Sequence, residues 1–193
     1  NCTGTQYITL TEPPVINFSF ATSDYNGYNI SCCGLNDGDI MATLTGGANG
    51  VDPSSYSWTG TPSPSNSPYI NTLYAGTYTL AAMDLNGCPY SESITLIEPA
   101  CLSVSATSGT TTCNGSNDGV ASASVGFNTG VAPYTYQWND INNQTTATTA
   151  NDLQGDVAGI TYTVTVTDNN GCIETANSTI FSPTAITTNA STT

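Results

Sequence analysis

The sequence predicts an all-β protein: two immunoglobulin-like β-sandwich modules in tandem, with an extra strand at each end. Three observations carry this. A fixed ruler recurs along the chain, with Cys2 eleven residues before Pro13, Cys88 eleven before Pro99 and Cys172 eleven before Pro183. Apolar and polar residues alternate over Thr161 to Thr167, with Tyr162, Val164 and Val166 on one face and threonines on the other, which is the period-2 pattern of a half-buried strand. No stretch shows a helical period or a helix-length apolar run.

Taken in order, residues 1–13 predict a terminal strand. Ile8-Thr9-Leu10-Thr11-Glu12-Pro13 repeats in Ile94-Thr95-Leu96-Ile97-Glu98-Pro99, so the chain opens on what reads as the end of a preceding module. Residues 14–99 form repeat 1, with strands at 15–22, 39–45, 55–59, 69–73, 77–83 and 90–97. Residues 100–183 form repeat 2, with strands at 101–107, 119–126, 134–139, 145–153, 161–167 and 173–181. Residues 184–193 resemble the opening of a further module.

The two repeats share landmarks in one order. Cys33-Gly34-Leu35-Asn36-Asp37-Gly38 aligns with Cys113-Asn114-Gly115-Ser116-Asn117-Asp118-Gly119, one residue being inserted. Tyr56-Ser57-Trp58 aligns with Tyr136-Gln137-Trp138, and each Trp lies 25 residues after its Cys. Next come Tyr78 and Tyr162 at the start of the penultimate strand, where a sandwich commonly places a tyrosine that hydrogen-bonds back to the chain. Asp84-Leu85-Asn86-Gly87-Cys88 aligns with Asp168-Asn169-Asn170-Gly171-Cys172. There the Asn-Gly step predicts a tight hairpin, since both residue types tolerate positive φ. The two tryptophans are predicted core residues, because an aromatic ring buries a large apolar area.

Composition narrows the function. The 193 residues include no Lys, Arg or His against 14 Asp and Glu, for a net charge of −14. With no side-chain cation to meet phosphates, nucleic acid is not a partner. P-loops, Schiff bases and His-dependent nucleophiles lack their residues, and zinc sites that use imidazole are excluded. The catalytic chemistry left is a carboxylate pair, for which the presence of acids is the whole support. The chain is read as a non-enzyme, with a carboxylate hydrolase as a remote alternative. No run reaches the roughly 20 apolar residues of a membrane span, and no signal peptide is visible. Seven cysteines without a Cys-x-x-Cys motif point to disulfides and an extracellular or cell-surface setting.

Cys-Asn-Gly-Ser-Asn-Asp-Gly at 113–119, Pro-Tyr-Thr-Tyr-Gln-Trp at 133–138 and Thr-Tyr-Thr-Val-Thr-Val-Thr-Asp-Asn-Asn-Gly-Cys at 161–172 together resemble the SprB-type repeat of very large bacterial surface adhesins. The resemblance covers about 33–99 and 113–183. It implies secretion, tandem arrays, and a role in adhesion or surface fibres. Repeat 1 departs from it in a Pro-rich insertion at 61–68.

Alignment of the repeats predicts one bridge per module, Cys33–Cys88 and Cys113–Cys172. Cys2, Cys32 and Cys101 are left for a bridge to a neighbouring subunit, for an extra pair such as Cys32–Cys101, or as buried thiols. Asp37, Asp84, Asp118 and Asp168 recur on turns. Ca²⁺ ligation is one reading of that recurrence, and the intrinsic turn chemistry of Asp is the other; no cofactor is required. Carbohydrate candidates are Thr61, Ser63, Ser65 and Ser67 in the Pro-rich stretch, as on O-glycosylated stalks, and the sequons at Asn17, Asn29, Asn114, Asn143 and Asn177.

The leading expectation is a structural subunit of a surface fibre or adhesin shaft, joined head-to-tail to copies of itself by a lent strand. Strand lending uses backbone hydrogen bonds and so needs no complementary charge. The alternative is an adhesin module that itself binds a ligand or surface glycans.

Overall fold

A computed structural model describes residues 4–62, 64–139, 152–156 (backbone) and 158–188. The chain is all-β, as expected, and builds an immunoglobulin-like sandwich in each repeat. Six strands belong to the first: β1 (Ile16–Thr22), β2 (Gly38–Gly46), β3 (Ser57–Thr59), β4 (Tyr69–Leu73), β5 (Gly76–Met83) and β6 (Pro89–Leu96). Six belong to the second: β7 (Val104–Ser108), β8 (Gly119–Val125), β9 (Thr135–Trp138), β10 (Asp152–Asp156), β11 (Thr161–Thr167) and β12 (Ile173–Thr179). A single 3₁₀ turn, Pro53–Ser55, starts where the Asp52 carboxylate accepts from the Ser54 backbone N–H.

Each repeat makes two antiparallel sheets of three strands. In the first they run β1-β2-β4 and β3-β5-β6; in the second, β7-β8-β10 and β9-β11-β12. Consecutive strands therefore switch sheets between β2 and β3, β3 and β4, and β4 and β5, which is the sandwich connection pattern rather than a meander. The alternation seen in the sequence sets the faces. Along β11, Tyr162, Val164 and Val166 are buried while the threonines face outward. In β5, Tyr78, Leu80 and Ala82 are buried.

Both tryptophans are core residues. Trp58 on β3 packs its ring 5.9 Å from Phe20 on β1, a contact across the two sheets of the first unit. Trp138 lies in a core with Ala121, Ala123, Tyr162, Val164, Val166 and Ile180. The Tyr78 hydroxyl donates to the Tyr74 carbonyl at 2.8 Å, the backward bond expected of a sandwich tyrosine.

The chain divides into two compact units, residues 1–24 with 36–97 and residues 25–35 with 98–193. Residues 25–35, which alignment assigns to repeat 1, group with the second unit. The strand expected at 101–107 begins only at Val104. That expected at 145–153 is observed as Asp152–Asp156, its earlier part lying outside the described residues.

Candidate functional site

The sites that repeat are the hairpin after the penultimate strand and the turn before the second strand. Both are built on aspartate. In the first unit, Asp84 Oδ1 accepts from the backbone N–H groups of Asn86 and Cys88, each at 2.9 Å, and Oδ2 accepts from Ala48 N–H at 3.0 Å. In the second unit Asp168 does the same with Asn170 and Cys172, each at 2.9 Å, and with Val131 at 2.8 Å. Both carboxylates are buried. Without these N–H donors burial would disfavour the charged form. Around Asp84 the Cys88 N–H is the largest influence, and it and its neighbours hold the carboxyl below the usual range. Of each Asn-Gly pair only the glycine takes positive φ, +83° at Gly87 and +85° at Gly171. The hairpin thus relies on one left-handed residue rather than two.

The turn before the second strand corrects the repeat alignment. Leu35 N–H donates to the Cys32 carbonyl at 3.1 Å, and Ser116 N–H donates to the Cys113 carbonyl at 3.2 Å. The third residue of each turn is a left-handed glycine, Gly34 at φ +74° and Gly115 at +82°. Cys32, not Cys33, is therefore the structural counterpart of Cys113, and no inserted residue is needed between 32 and 38. Asp118 closes its turn by accepting from Ser116 Oγ at 2.6 Å, from Thr112 N–H at 3.1 Å and from the Thr112 hydroxyl.

The disulfides follow this register and overturn the expected pairing. Cys32 is bonded to Cys172 and Cys33 to Cys101, with Cα separations of 5.6 and 4.8 Å. Both lie within the second unit. Cys88 and Cys113, expected to pair with Cys33 and Cys172, are exposed free thiols. The extra pair Cys32–Cys101 is not formed either, because each member takes another partner. Cys2 lies outside the described residues. The segment carrying Cys32 is also held by hydrogen bonds: Asn170 Nδ2 donates to the Ser31 carbonyl at 2.9 Å and to the Tyr25 carbonyl at 3.3 Å.

The four aspartates are not gathered. Asp84 and Asp168 are each committed to backbone N–H groups, Asp118 to its own turn, and Asp37 is exposed. Among the described residues no three Cys, Asp or Glu side chains come together as a metal site. The recurrence of Asp84, Asp118 and Asp168 is accounted for by turn chemistry.

The Pro-rich stretch is not the free stalk expected. The carbonyl of Ser67 accepts from Trp58 Nε1 at 2.9 Å, and that of Ser65 from Trp58 N–H at 3.3 Å. Thr61 and Ser65 are half-buried, Ser67 is exposed, and Ser63 lies outside the described residues. Asn17 and Asn177 are exposed on strands, and Asn29 is half-buried. Asn114 Nδ2 donates to the Pro183 carbonyl at 3.0 Å, and Asn143 lies outside the described residues. Beside the Pro-rich stretch is a groove of about 520 Å³ whose walls include Tyr69, Asn71, Thr72 and Tyr74. Thr72 there has φ +60°, a costly conformation for a β-branched residue.

No protein-family description and no curated protein matches the sequence. Among solved structures, the three N-terminal domains of the highly immunogenic outer capsid protein Hoc of bacteriophage RB49 align with 86% of this chain at 19% identity and a TM-score of 0.48. A Dscam structure aligns over 75% of this chain at 15% identity and a TM-score of 0.30. The ectodomain of mouse nectin-like molecule 4 aligns over 92% at 12% identity, also with a TM-score of 0.30. The chain spans 59% of the Hoc chain and 41% of the Dscam chain. Among the described residues no helix is long and apolar enough to cross a membrane.

The turn carboxylates set an acid limit on stability. Hydrogen bonds from the Ser116 hydroxyl, then from Thr112, lower the Asp118 carboxyl to about 2. A lowered folded-state pKa stabilises above the unfolded value of about 3.9 and ceases to do so as pH falls through about 2. Asp84 has the same sign. Thermal midpoints are expected to fall between pH 4 and pH 2, and Asp118→Asn to flatten that fall. Protonating other acids also relieves self-repulsion, so parent and variant are compared at each pH. Parallel curves would remove Asp118 from the account.

Proposed function

We propose that this chain is a structural subunit of an extracellular fibre or adhesin shaft, in which immunoglobulin-like modules are joined end to end. One observation carries the proposal. Residues 4–13 have the sequence of a last strand but none of its pairing. Leu96, on β6, is 1% exposed, whereas Leu10, its counterpart, is 91% exposed. Ile8 is 81% exposed and Tyr7 90%. Burying a leucine side chain stabilises by roughly 1.5–3 kcal/mol, so this strand sequence gains by finding a sheet.

Each unit has its own β6 or β12 in place, so the lent strand adds to a sheet edge rather than replacing a missing strand. The outer strands β1 and β4, β3 and β6, β7 and β10, and β9 and β12 are the candidate edges. Backbone pairing there does not need opposite charge, which suits a chain that carries only acids. A head-to-tail contact of this type does not close on itself and continues as a filament. The disulfides support an oxidising, extracellular setting. The alternative of glycan recognition has its best seat in the groove walled by Tyr69 and Tyr74, where aromatic faces flank amide and hydroxyl groups.

Removing residues 1–12 tests the fibre. The full chain is expected to form filaments by negative-stain electron microscopy and heavy species by sedimentation. The shortened chain is expected to stay monomeric with an unchanged far-UV spectrum. Filaments that persist after the deletion would refute strand lending.

A further inference from the structure

The bond between Cys32 and Cys172 has a missing twin. In repeat terms it joins the turn cysteine of one repeat to the hairpin cysteine of the next. The turn position recurs at Cys113 and the hairpin position at Cys88, and these two are the exposed free thiols. We infer that Cys113 of one copy forms a disulfide with Cys88 of a second copy of this chain, so that the junction sealed inside the chain by Cys32–Cys172 is repeated between chains. The inference rests on the end-to-end reading above and names the crosslink that would fix it.

Both halves of the junction are already shaped as in the bonded pair. The Asp84 carboxylate holds Cys88 N–H at 2.9 Å, as Asp168 holds Cys172 N–H at 2.9 Å. The turns at Cys32 and Cys113 close with matching bonds of 3.1 and 3.2 Å over a left-handed glycine. What differs is cover. Asn170 and Cys172 are half-buried under the segment that carries Cys32, while their counterparts Asn86 and Cys88 are exposed. Cys32 is half-buried and Cys113 exposed. Asn170 Nδ2 donates to the Ser31 carbonyl, one residue before the turn cysteine. The corresponding intermolecular bond runs from Asn86 Nδ2 to the Thr112 carbonyl of the other copy.

The chemistry is thiol–disulfide exchange with a small-molecule disulfide as oxidant. One cysteine thiolate attacks it, forms a mixed disulfide and expels a small thiolate. The second cysteine thiolate then attacks the protein sulfur of the mixed disulfide and expels the other small thiolate. Two protein thiols lose two protons and two electrons, and one small disulfide becomes two thiols. Each copy carries one turn cysteine and one hairpin cysteine, so the reaction propagates along a chain of copies.

Oxidised glutathione is added to the full chain, and the products are separated without reductant and mapped by peptide mass spectrometry. The parent is expected to give a ladder containing a Cys113–Cys88 linked peptide. Made in a Cys2→Ser background, C88S alone and C113S alone are expected to stay at least tenfold poorer in crosslinked dimer than their equimolar mixture. The mixture is expected to stop at dimer. Dimerisation of C88S alone through two Cys113 thiols, linkage of Cys113 to Cys2 in the parent, or a monomeric mixture would each overturn the inference. Filaments from a chain carrying both C88S and C113S would separate the two proposals, leaving strand lending intact as the assembly contact. Cys113–Cys88 crosslinks in the chain lacking residues 1–12 would do the reverse.

Discussion

Replacing Cys32 and Cys172 with serine is expected to destabilise the second unit by about 4 kcal/mol and leave the first unit where it was. The bridge spans 140 residues of sequence. Closing loops of about 100 residues is worth roughly 4.7 kcal/mol in the chain-entropy treatment. Cys33–Cys101, spanning 68 residues, already shortens the effective loop, which lowers the expected figure slightly. The enclosed segment 25–35 has little regular structure, a single bridge between Tyr25 and Tyr28, so it relies on its sulfur links and on Asn170. Neither disulfide has a residue in the first unit. Each unit holds one tryptophan, Trp58 or Trp138, so Trp58→Phe and Trp138→Phe backgrounds report on the units separately. Urea midpoints followed by fluorescence should drop for Trp138 and hold for Trp58. A drop at Trp58 alone would point back to the pairing read from the sequence, Cys33–Cys88.

The strands were legible because their signal is local. Alternation over Thr161–Thr167 fixes which residues are buried, and the Asp-x-Asn-Gly-Cys repeats locate the hairpins. The register of the turn cysteine was not legible. Cys32 and Cys33 are adjacent, and matching Cys33-Gly34 to Cys113-Asn114-Gly115 seemed cheap at one insertion. The left-handed glycine decides otherwise. Gly34 and Gly115 both sit third in their turns, and counting back two residues reaches Cys32 and Cys113. That signal was in the sequence, as an ungapped match of 32–38 to 113–119. The pairing was not, because it joins a turn in one repeat to a hairpin in the next. The alignment supposed closed modules, and a bridge between successive repeats is a property of the array. The Pro-rich stretch was misread for a similar reason. Composition suggested a solvated stalk, but Trp58 needs a carbonyl for its indole N–H once its ring is buried, and Ser67 supplies it.

Asp168→Ala is expected to cost the second unit about 3–4 kcal/mol, nearly as much as losing the Cys32–Cys172 bridge. Three backbone N–H groups, of Val131, Asn170 and Cys172, end on this one carboxylate. The residue is 5% exposed, so water cannot freely replace it. Leaving a buried donor unpartnered costs roughly 1–3 kcal/mol per group, and some relaxation brings the sum below the simple total. Asp168→Asn separates the contributions. Its amide oxygen can keep the Oδ1 position and the bonds to Asn170 and Cys172, but the NH₂ then faces the Val131 N–H, donor against donor. The expected loss is about half that of alanine. The alanine variant should also expose the bridge, because Cys172 N–H is one of the three groups that orient the hairpin. Reduction of Cys32–Cys172 by dithiothreitol, followed by thiol alkylation and mass spectrometry, is therefore expected to run faster in Asp168→Ala than in the parent. Equal reduction rates with lowered stability would confine the aspartate to folding. Unchanged stability would mean that the three hydrogen bonds are replaced by water, and that the recurring aspartate is not what holds the hairpin.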